Sequence, residues 1–356
     1  MKRLEKLKNV LKQENIDGLL ITSPINRRYI TGFTGTSGVA LITSSDAIFV
    51  TDFRYMEQAS DQVNGFDIKE HKGPIQDTIA ELVESLQIKT IGFEKDDMTY
   101  GLYEKYNESI KANLIPANGL IEKLRLIKDR DELNIIKDAC KIADDAFDHI
   151  LNYIKPGVKE IDISNELEFF MRKQGATSSS FDIIVASGYR SALPHGVASA
   201  KEIQSGELVT LDFGALYKGY ASDITRTLAV GNISEELETI YQTVLEAQLK
   251  GVEGIKAGIT AKQADALTRD HIDQKGYGKY FGHSTGHGLG LDVHEMPGLS
   301  FRSDAVLEPG MVVTVEPGIY VPHVGGCRIE DDILITEDGN ERLTHSPKDL
   351  IRLSVS

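Results

Sequence analysis

The sequence predicts an α+β protein in two parts, an α/β domain over residues 1–120 and a larger domain over residues 121–356. Three observations predict it. Residues 1–118 alternate short apolar runs with segments of helical apolar spacing. Two later blocks, 130–256 and 257–340, each read as helix, helix, then strands. Along Val209 to Glu330, four carboxylates and one imidazole fall at or beside strand-like runs.

In the first part, residues 1–18 form an amphipathic helix pattern with Leu4, Leu7, Val10 and Leu11 on one face. Gly18–Thr22, Val39–Thr43, Ala47–Val50 and Thr90–Phe93 read as strands, and Pro74–Leu86 and Thr99–Ile110 as helices. The glycine-rich stretch 30–38 fits no phosphate-binding fingerprint and has no suitably placed lysine, so it reads as a turn or a loop reaching toward a partner site.

The boundary falls within Ala117–Asp131. Asp129 is placed to cap the next helix, with Glu132 at capping-box distance. That helix is expected from Arg130 to about Lys155, where Pro156-Gly157 stops it. Its apolar face carries Cys140, which is read as core and not as a nucleophile. Ile161–Gln174, Glu235–Lys256 and Ala261–Lys275 read as further helices. Residues 181–196 read as a buried strand ending in a loop that carries His195.

The chemistry-bearing residues lie in three pieces. Residues 208–230 read as a β-hairpin turning at Tyr217-Lys218-Gly219, which brings Asp212 and Asp223 close to opposite one another. Facing acids repel unless a cation sits between them. Residues 281–298 hold His283, His287 and His294. His283 and His287 have the spacing of two ligands on a helix face, but four surrounding glycines argue for a loop leading into a strand. Met311–Val315 reads as a buried strand ending at Glu316. Cys327–Thr336 reads as one strand with Arg328 and Glu330 on the same face. Buried carboxylates are costly unless paired or metal-bound. A set of four acids and one imidazole suits hard or borderline divalent ions, and four carboxylates suit two ions better than one.

The order Asp212, Asp223, His287, Glu316, Glu330 stands in the contexts LDFGALYKGYASDITRT, HSTGHGLGLDVHE, EPGIY and GCRIEDD. In this it resembles the pita-bread metallopeptidases, the group of methionine aminopeptidase, aminopeptidase P, proline dipeptidase and the non-metal enzyme creatinase. The resemblance covers essentially the whole chain. It implies a creatinase/prolidase-type N-terminal domain before a catalytic domain with a curved antiparallel sheet and outer helices. It also implies two divalent ions per subunit, Mn²⁺ foremost, with Co²⁺ or Zn²⁺ as the other candidates. Asp212 would hold one ion, His287 and Glu316 the other, and Asp223 and Glu330 both. Glu316 would also shuttle the proton to the leaving nitrogen. His195 and His294 would hold the substrate at the reacting carbonyl, and His283, Tyr320 and Arg328 would line the pocket after the scissile bond.

All five ligands are present, unlike in creatinase, and methionine aminopeptidase typically lacks the large N-terminal domain. The expected activity is therefore hydrolysis of the Xaa-Pro bond, foremost as a proline dipeptidase. Aminopeptidase P acting on longer peptides is the alternative, and a non-catalytic binding or scaffold protein on the same fold is the reading from another class. One departure bears on that choice. Several prolidases carry an arginine directly after the HExP segment, which can hold the substrate's carboxylate. Here that position is Gly298, and the nearest arginine is Arg302.

A net charge of −15 disfavours a nucleic-acid partner. Two cysteines in 356 residues give no disulfide framework. No run approaches the roughly 20 apolar residues of a membrane span, and the N-terminus lacks a signal-peptide core. The cytoplasm is the expected compartment, and a homodimer the expected assembly by resemblance.

Overall fold

The computed structural model describes residues 2–117 and 119–354. These divide into two compact units, Met1–Arg125 and Leu126–Ser356.

The first unit contains α1 (Lys2–Gln13), β1 (Gly18–Ile21), α2 (Pro24–Thr31), β2 (Val39–Thr43), β3 (Ala47–Thr51), α3 (Met56–Gln62), β4 (Asp67–Glu70), α4 (Ile75–Ser85), β5 (Thr90–Phe93), α5 (Tyr100–Ser109), β6 (Asn113–Pro116) and α6 (Leu120–Arg125). Its sheet runs β4-β3-β2-β1-β5-β6. The central strands β1, β2 and β3 are buried throughout, as their unbroken apolar runs require, while edge strands β4 and β6 are largely open. Helix α2 was not expected from the sequence. Ser23 caps it, Pro24 opens it and Gly32 closes it at φ 77°. The glycine-rich loop after it is pinned, because Arg27 donates to the carbonyls of Gly38 (2.7 Å) and Gly35 (2.8 Å).

The second unit opens with α7 (Arg130–Ile150), held by the Asp129–Glu132 capping box, and α8 (Glu160–Lys173). Helix α7 ends about one turn before Lys155, as Asn152 and Tyr153 close onto His149 and Ile150 through tighter bonds. Then follow β7 (Ser178–Ser179), β8 (Ile184–Ser187), β9 (Glu207–Phe213), β10 (Ala215–Tyr217), β11 (Tyr220–Ala221) and β12 (Ile224–Val230). The turn between β10 and β11 places Lys218 at φ 48° and Gly219 at φ 85°, the paired left-handed geometry of a two-residue hairpin.

A second helix pair follows, α9 (Glu235–Gly254) and α10 (Ala261–Gln274). After it come β13 (Gly286–Gly288), β14 (Glu295–Leu299), β15 (Val312–Val315), β16 (Gly318–Val321), β17 (Gly325–Arg328), β18 (Asp331–Ile335), β19 (Asn340–Arg342) and β20 (Arg352–Leu353). The main sheets run β20-β12-β9-β8 and β14-β13-β15-β18-β19. The two halves therefore divide before α9, near residues 231–234, and not after Lys256. Helices α7 and α8 cover the first sheet through Phe147, Leu167, Val209, Leu211 and Leu228. The second half packs Ala261 and Ala264 against Val313, Val315 and Ile333.

Cys327–Thr336 is not one strand. It breaks at Ile329–Glu330, because β17 pairs with β16 whereas β18 pairs with β15. Among the described residues, no helix is long and apolar enough to cross a membrane.

Candidate metal centre and active site

The sheet register brings the acids together. Strand β9 pairs Asp212 with Thr225 of β12, so Asp223 lies one residue beyond the paired strand, diagonal to Asp212. Glu330 sits in the break between β17 and β18. Its backbone N–H donates to the Thr225 carbonyl (3.0 Å), and the Thr225 hydroxyl donates to its carboxylate (2.6 Å). Thr225 thus fixes Glu330 beside the aspartates.

His287 comes from β13, where the glycines permit close packing. A Cβ on Gly286 would stand 2.0 Å from the Thr314 carbonyl oxygen, and one on Gly288 2.2 Å from that of Met296. The backbone N–H of His287 donates to the Thr314 hydroxyl (3.1 Å), which donates to Glu316 (3.2 Å). On the His287 ring, Nδ1 bonds the Gly288 carbonyl (3.1 Å) and so carries a proton. Nε2 then faces the acids, 3.7 Å from Asp223 and 3.3 Å from Glu316. A carbonyl-bound Nδ1 that frees Nε2 is the usual preparation of a histidine ligand.

Asp223, His287 and Glu330 each offer a ligand atom within 4.8 Å of the others. Asp212 lies alongside, ion-paired with Arg328, while its Oδ1 is buried with no hydrogen-bond partner. Oδ1 of Asp223 is buried and unpartnered too. Orphaned buried oxygens are rare because each costs about 1–3 kcal/mol or more. Two of them in an oxygen-rich set with one free imidazole nitrogen fit divalent cations.

Electrostatics agree. Burial, then the charges of Glu330 and Asp212, pushes the Asp223 carboxyl well above its usual range. Burial, then Glu316 and Asp212, does the same to Glu330. Burial also raises Asp212, against the opposing charge of Arg328. Burial opposes ionisation of Glu316 as well, but the hydrogen bond and charge of His287 prevail and draw its carboxyl down to about 2. His287 is raised in return. Without a cation, the centre holds more negative charge than it can neutralise.

These residues open onto a cavity of about 520 Å³. Nine of the ten expected site residues line it: His195, Asp212, Asp223, His283, His287, His294, Glu316, Arg328 and Glu330. Tyr320 is not among the lining residues. Its hydroxyl accepts from Arg328 Nη1 (2.6 Å) and is bonded to His283 Nε2 (2.7 Å), two residues that do line the cavity. His283 Nδ1 bonds the Ser284 carbonyl (2.8 Å), so in the neutral ring Nε2 accepts from the Tyr320 hydroxyl. Burial, then Arg328, lowers the His283 pKa and keeps that ring neutral. His294 meets His287 edge-on at 4.5 Å between ring centroids. Phe181, Ile184, Pro194 and Val197 give the cavity an apolar side. Gly298 lines it as well, whereas Arg302 is exposed, lies against Phe301 and is not among the lining residues.

Sequence reasoning missed Asp332. It is fully buried, and its carboxylate accepts from the backbone N–H of Asp223 (2.9 Å) and from Cys140 Sγ (3.4 Å). Burial pushes it up to about 7. The available signal was the run of three consecutive acids, Glu330, Asp331 and Asp332. Thr225, Thr314 and Thr285 were missed too, and nothing in their local sequence marks them.

Comparison with known proteins places this arrangement. Residues 134–337 match metallopeptidase family M24, and residues 3–127 match the creatinase/prolidase N-terminal domain. A solved Xaa-Pro dipeptidase from Bacillus anthracis superposes with a TM-score of 0.98 at 63% identity, over 99% of each chain. An Xaa-Pro dipeptidase of Pyrococcus horikoshii is 44% identical over 98% of this chain and 99% of its own. A solved X-Pro aminopeptidase from Thermotoga maritima gives a TM-score of 0.90 at 40% identity, over 95% of this chain and 98% of its own. The chain belongs to metallopeptidase family M24, with a creatinase/prolidase N-terminal domain preceding its metal-dependent catalytic domain.

Proposed function

We propose that the protein is an Xaa-Pro dipeptidase working with two divalent ions, Mn²⁺ foremost. The observation that carries this reading is the cluster of Asp212, Asp223, His287, Glu316 and Glu330 on one cavity, with orphaned oxygens on both aspartates. The relatives named Xaa-Pro dipeptidase support the substrate class. Asp212 would hold one ion, His287 and Glu316 the other, and Asp223 and Glu330 both. When bound, such ions activate water near neutral pH and polarise a carbonyl.

The chain's own residues do the rest. Glu316 takes the proton from the attacking water and delivers it to the leaving proline nitrogen, a general acid–base task. His294 and His195 hold the reacting carbonyl as negative charge develops on its oxygen. Burial favours the neutral form of His294, which can donate without adding charge. His283 and Arg328, backed by Tyr320, shape the wall that receives the proline ring.

A second reading is aminopeptidase P. Gly298 at the cavity wall and Arg302 away from it favour that reading, since no free guanidinium at that position meets a terminal carboxylate. Arg328 is already engaged by Asp212 and Tyr320. The intact ligand set weighs against a non-catalytic scaffold. A homodimer follows from the family resemblance, to be checked by light scattering. Cys140 and Cys327, buried and outside any disulfide, suit a reducing compartment such as the cytoplasm. Metal-reconstituted activity on Leu-Pro, Leu-Pro-Pro and Met-Ala-Ser tests the function. Cleavage of Leu-Pro foremost supports the dipeptidase, and cleavage of Met-Ala-Ser alone overturns the Xaa-Pro assignment.

A further inference from the structure

The loop from Phe281 to Ser284 carries His283 but has no regular secondary structure of its own. Two side chains on α10 hold it. Asp265, fully buried, binds Arg269 one turn later through both oxygens, at 2.6 and 2.8 Å. Asp265 Oδ1 also accepts from the backbone N–H (3.0 Å) and the hydroxyl (2.9 Å) of Thr285. Arg269 spends its remaining reach on the loop, donating to the carbonyls of Phe281 (3.1 Å) and His283 (2.7 Å). Its guanidinium lies 4.3 Å from the centre of the Phe281 ring, which in turn meets the His283 ring edge-on at 5.1 Å.

We infer that Arg269, oriented by Asp265, is a positioning residue that sets where His283 stands in the substrate cavity. A fork-shaped guanidinium is suited to this, since it binds one carboxylate and two carbonyls at once in fixed geometry. A salt bridge serving stability alone would need only the Asp265 contact. The division of labour is specific. Asp265 and Thr285 secure the side facing the metal centre, because the Thr285 carbonyl accepts the backbone N–H of Glu316 at 2.7 Å. Arg269 secures the side bearing His283. Loss of the Arg269 fork should therefore disturb substrate binding and spare the metal ligands.

The inference rests on His283 being part of the substrate pocket, and a double-mutant cycle separates the two ideas. Arg269→Lys keeps the charge opposite Asp265 but cannot reach both carbonyls. In the Mn²⁺-loaded enzyme it should raise KM for Leu-Pro roughly tenfold, because misplacement of about 1 Å far from the chemistry is felt strongly. Both kcat and Mn²⁺ affinity should stay within about twofold of wild type. His283→Ala should raise KM on its own, and adding Arg269→Lys to it should raise KM no further. If Arg269→Lys does not fold, Arg269→Gln serves in the same cycle. An unchanged KM in the Arg269 variant beside a raised KM in His283→Ala overturns the inference, as do fully additive effects in the double variant. A silent His283→Ala overturns the pocket role of His283 and this inference with it.

Discussion

Glu330→Gln should make the metal-free protein more stable and the metal-loaded protein inactive. Gln keeps the shape of Glu330 and an oxygen to accept from Thr225, so the local hydrogen bond survives. What changes is charge. Ligand atoms of Glu330 and Asp223 lie within 4.8 Å of one another. Two unit charges at that separation repel by about 3 kcal/mol at an effective dielectric of about 20. The acids partly avoid this by binding protons, as their raised pKa values indicate, so about 1–3 kcal/mol should be recovered in the apoprotein. For a unit of about 230 residues, each kcal/mol moves Tm by about 2–4 °C, giving a rise of roughly 2–12 °C. The response to metal has the opposite sign. Wild type gains about 2.7 kcal/mol per ion at a hundredfold excess over Kd, and the variant should lose most of that. Calorimetry of chelator-stripped and Mn²⁺-loaded samples of both proteins reads all four states. A variant whose apoprotein melts below wild type, or which gains as much from Mn²⁺, would refute the reasoning.

Other expectations are equally direct. His294→Ala should lower kcat roughly 10²–10³-fold with metal content preserved, and metal loss would show that it is a ligand. Gly286→Ala puts a methyl 2.0 Å from the Thr314 oxygen, so β13 and β15 must separate, and Mn²⁺ affinity measured by calorimetry should fall along with Tm. In the first unit, burial raises the Glu94 carboxyl although it accepts from Thr22, Ser23 and Asn26. An acid raised on folding keeps its proton longer when folded, so it contributes a loss of stability as pH climbs from about 4.5 toward the folded value. Glu94→Gln should remove that slope in urea unfolding, and an unchanged slope would contradict the assignment.

The features legible in the sequence were those whose cause is local. Asp129 and Glu132 announce their capping box, and Lys218-Gly219 announces the hairpin that brings Asp212 toward Asp223. Dense glycine around His287 signalled a loop leading into a strand and not a helix, and the structure has β13 there. What escaped reading depends on partners far along the chain. The break at Ile329–Glu330 has its cause outside the local sequence. It arises because the two flanking strands choose different neighbours and Arg226 claims the Glu330 carbonyl. Asp332 looks like a surplus acid until its carboxylate is seen under the backbone N–H of Asp223, 109 residues away. Tyr320 meets the site through two bonds of its hydroxyl, to Arg328 and to His283 37 residues away, which its own motif does not encode. Asp265 and Arg269 look like an ordinary helix-surface pair, and only the loop folded over them reveals their work. Helix α7 stops early through bonds that its last turn makes to itself, which apolar spacing does not encode.

The most direct test of the central claim compares kcat/KM for Leu-Pro, Leu-Pro-Pro and Leu-Pro amide, each with Mn²⁺-loaded and chelator-stripped enzyme. Leu-Pro should be cleaved best, ahead of the tripeptide and the amide, and all turnover should disappear without metal. Preference for the amide or the tripeptide would contradict the dipeptidase assignment, and undiminished turnover after stripping would contradict the metal centre itself.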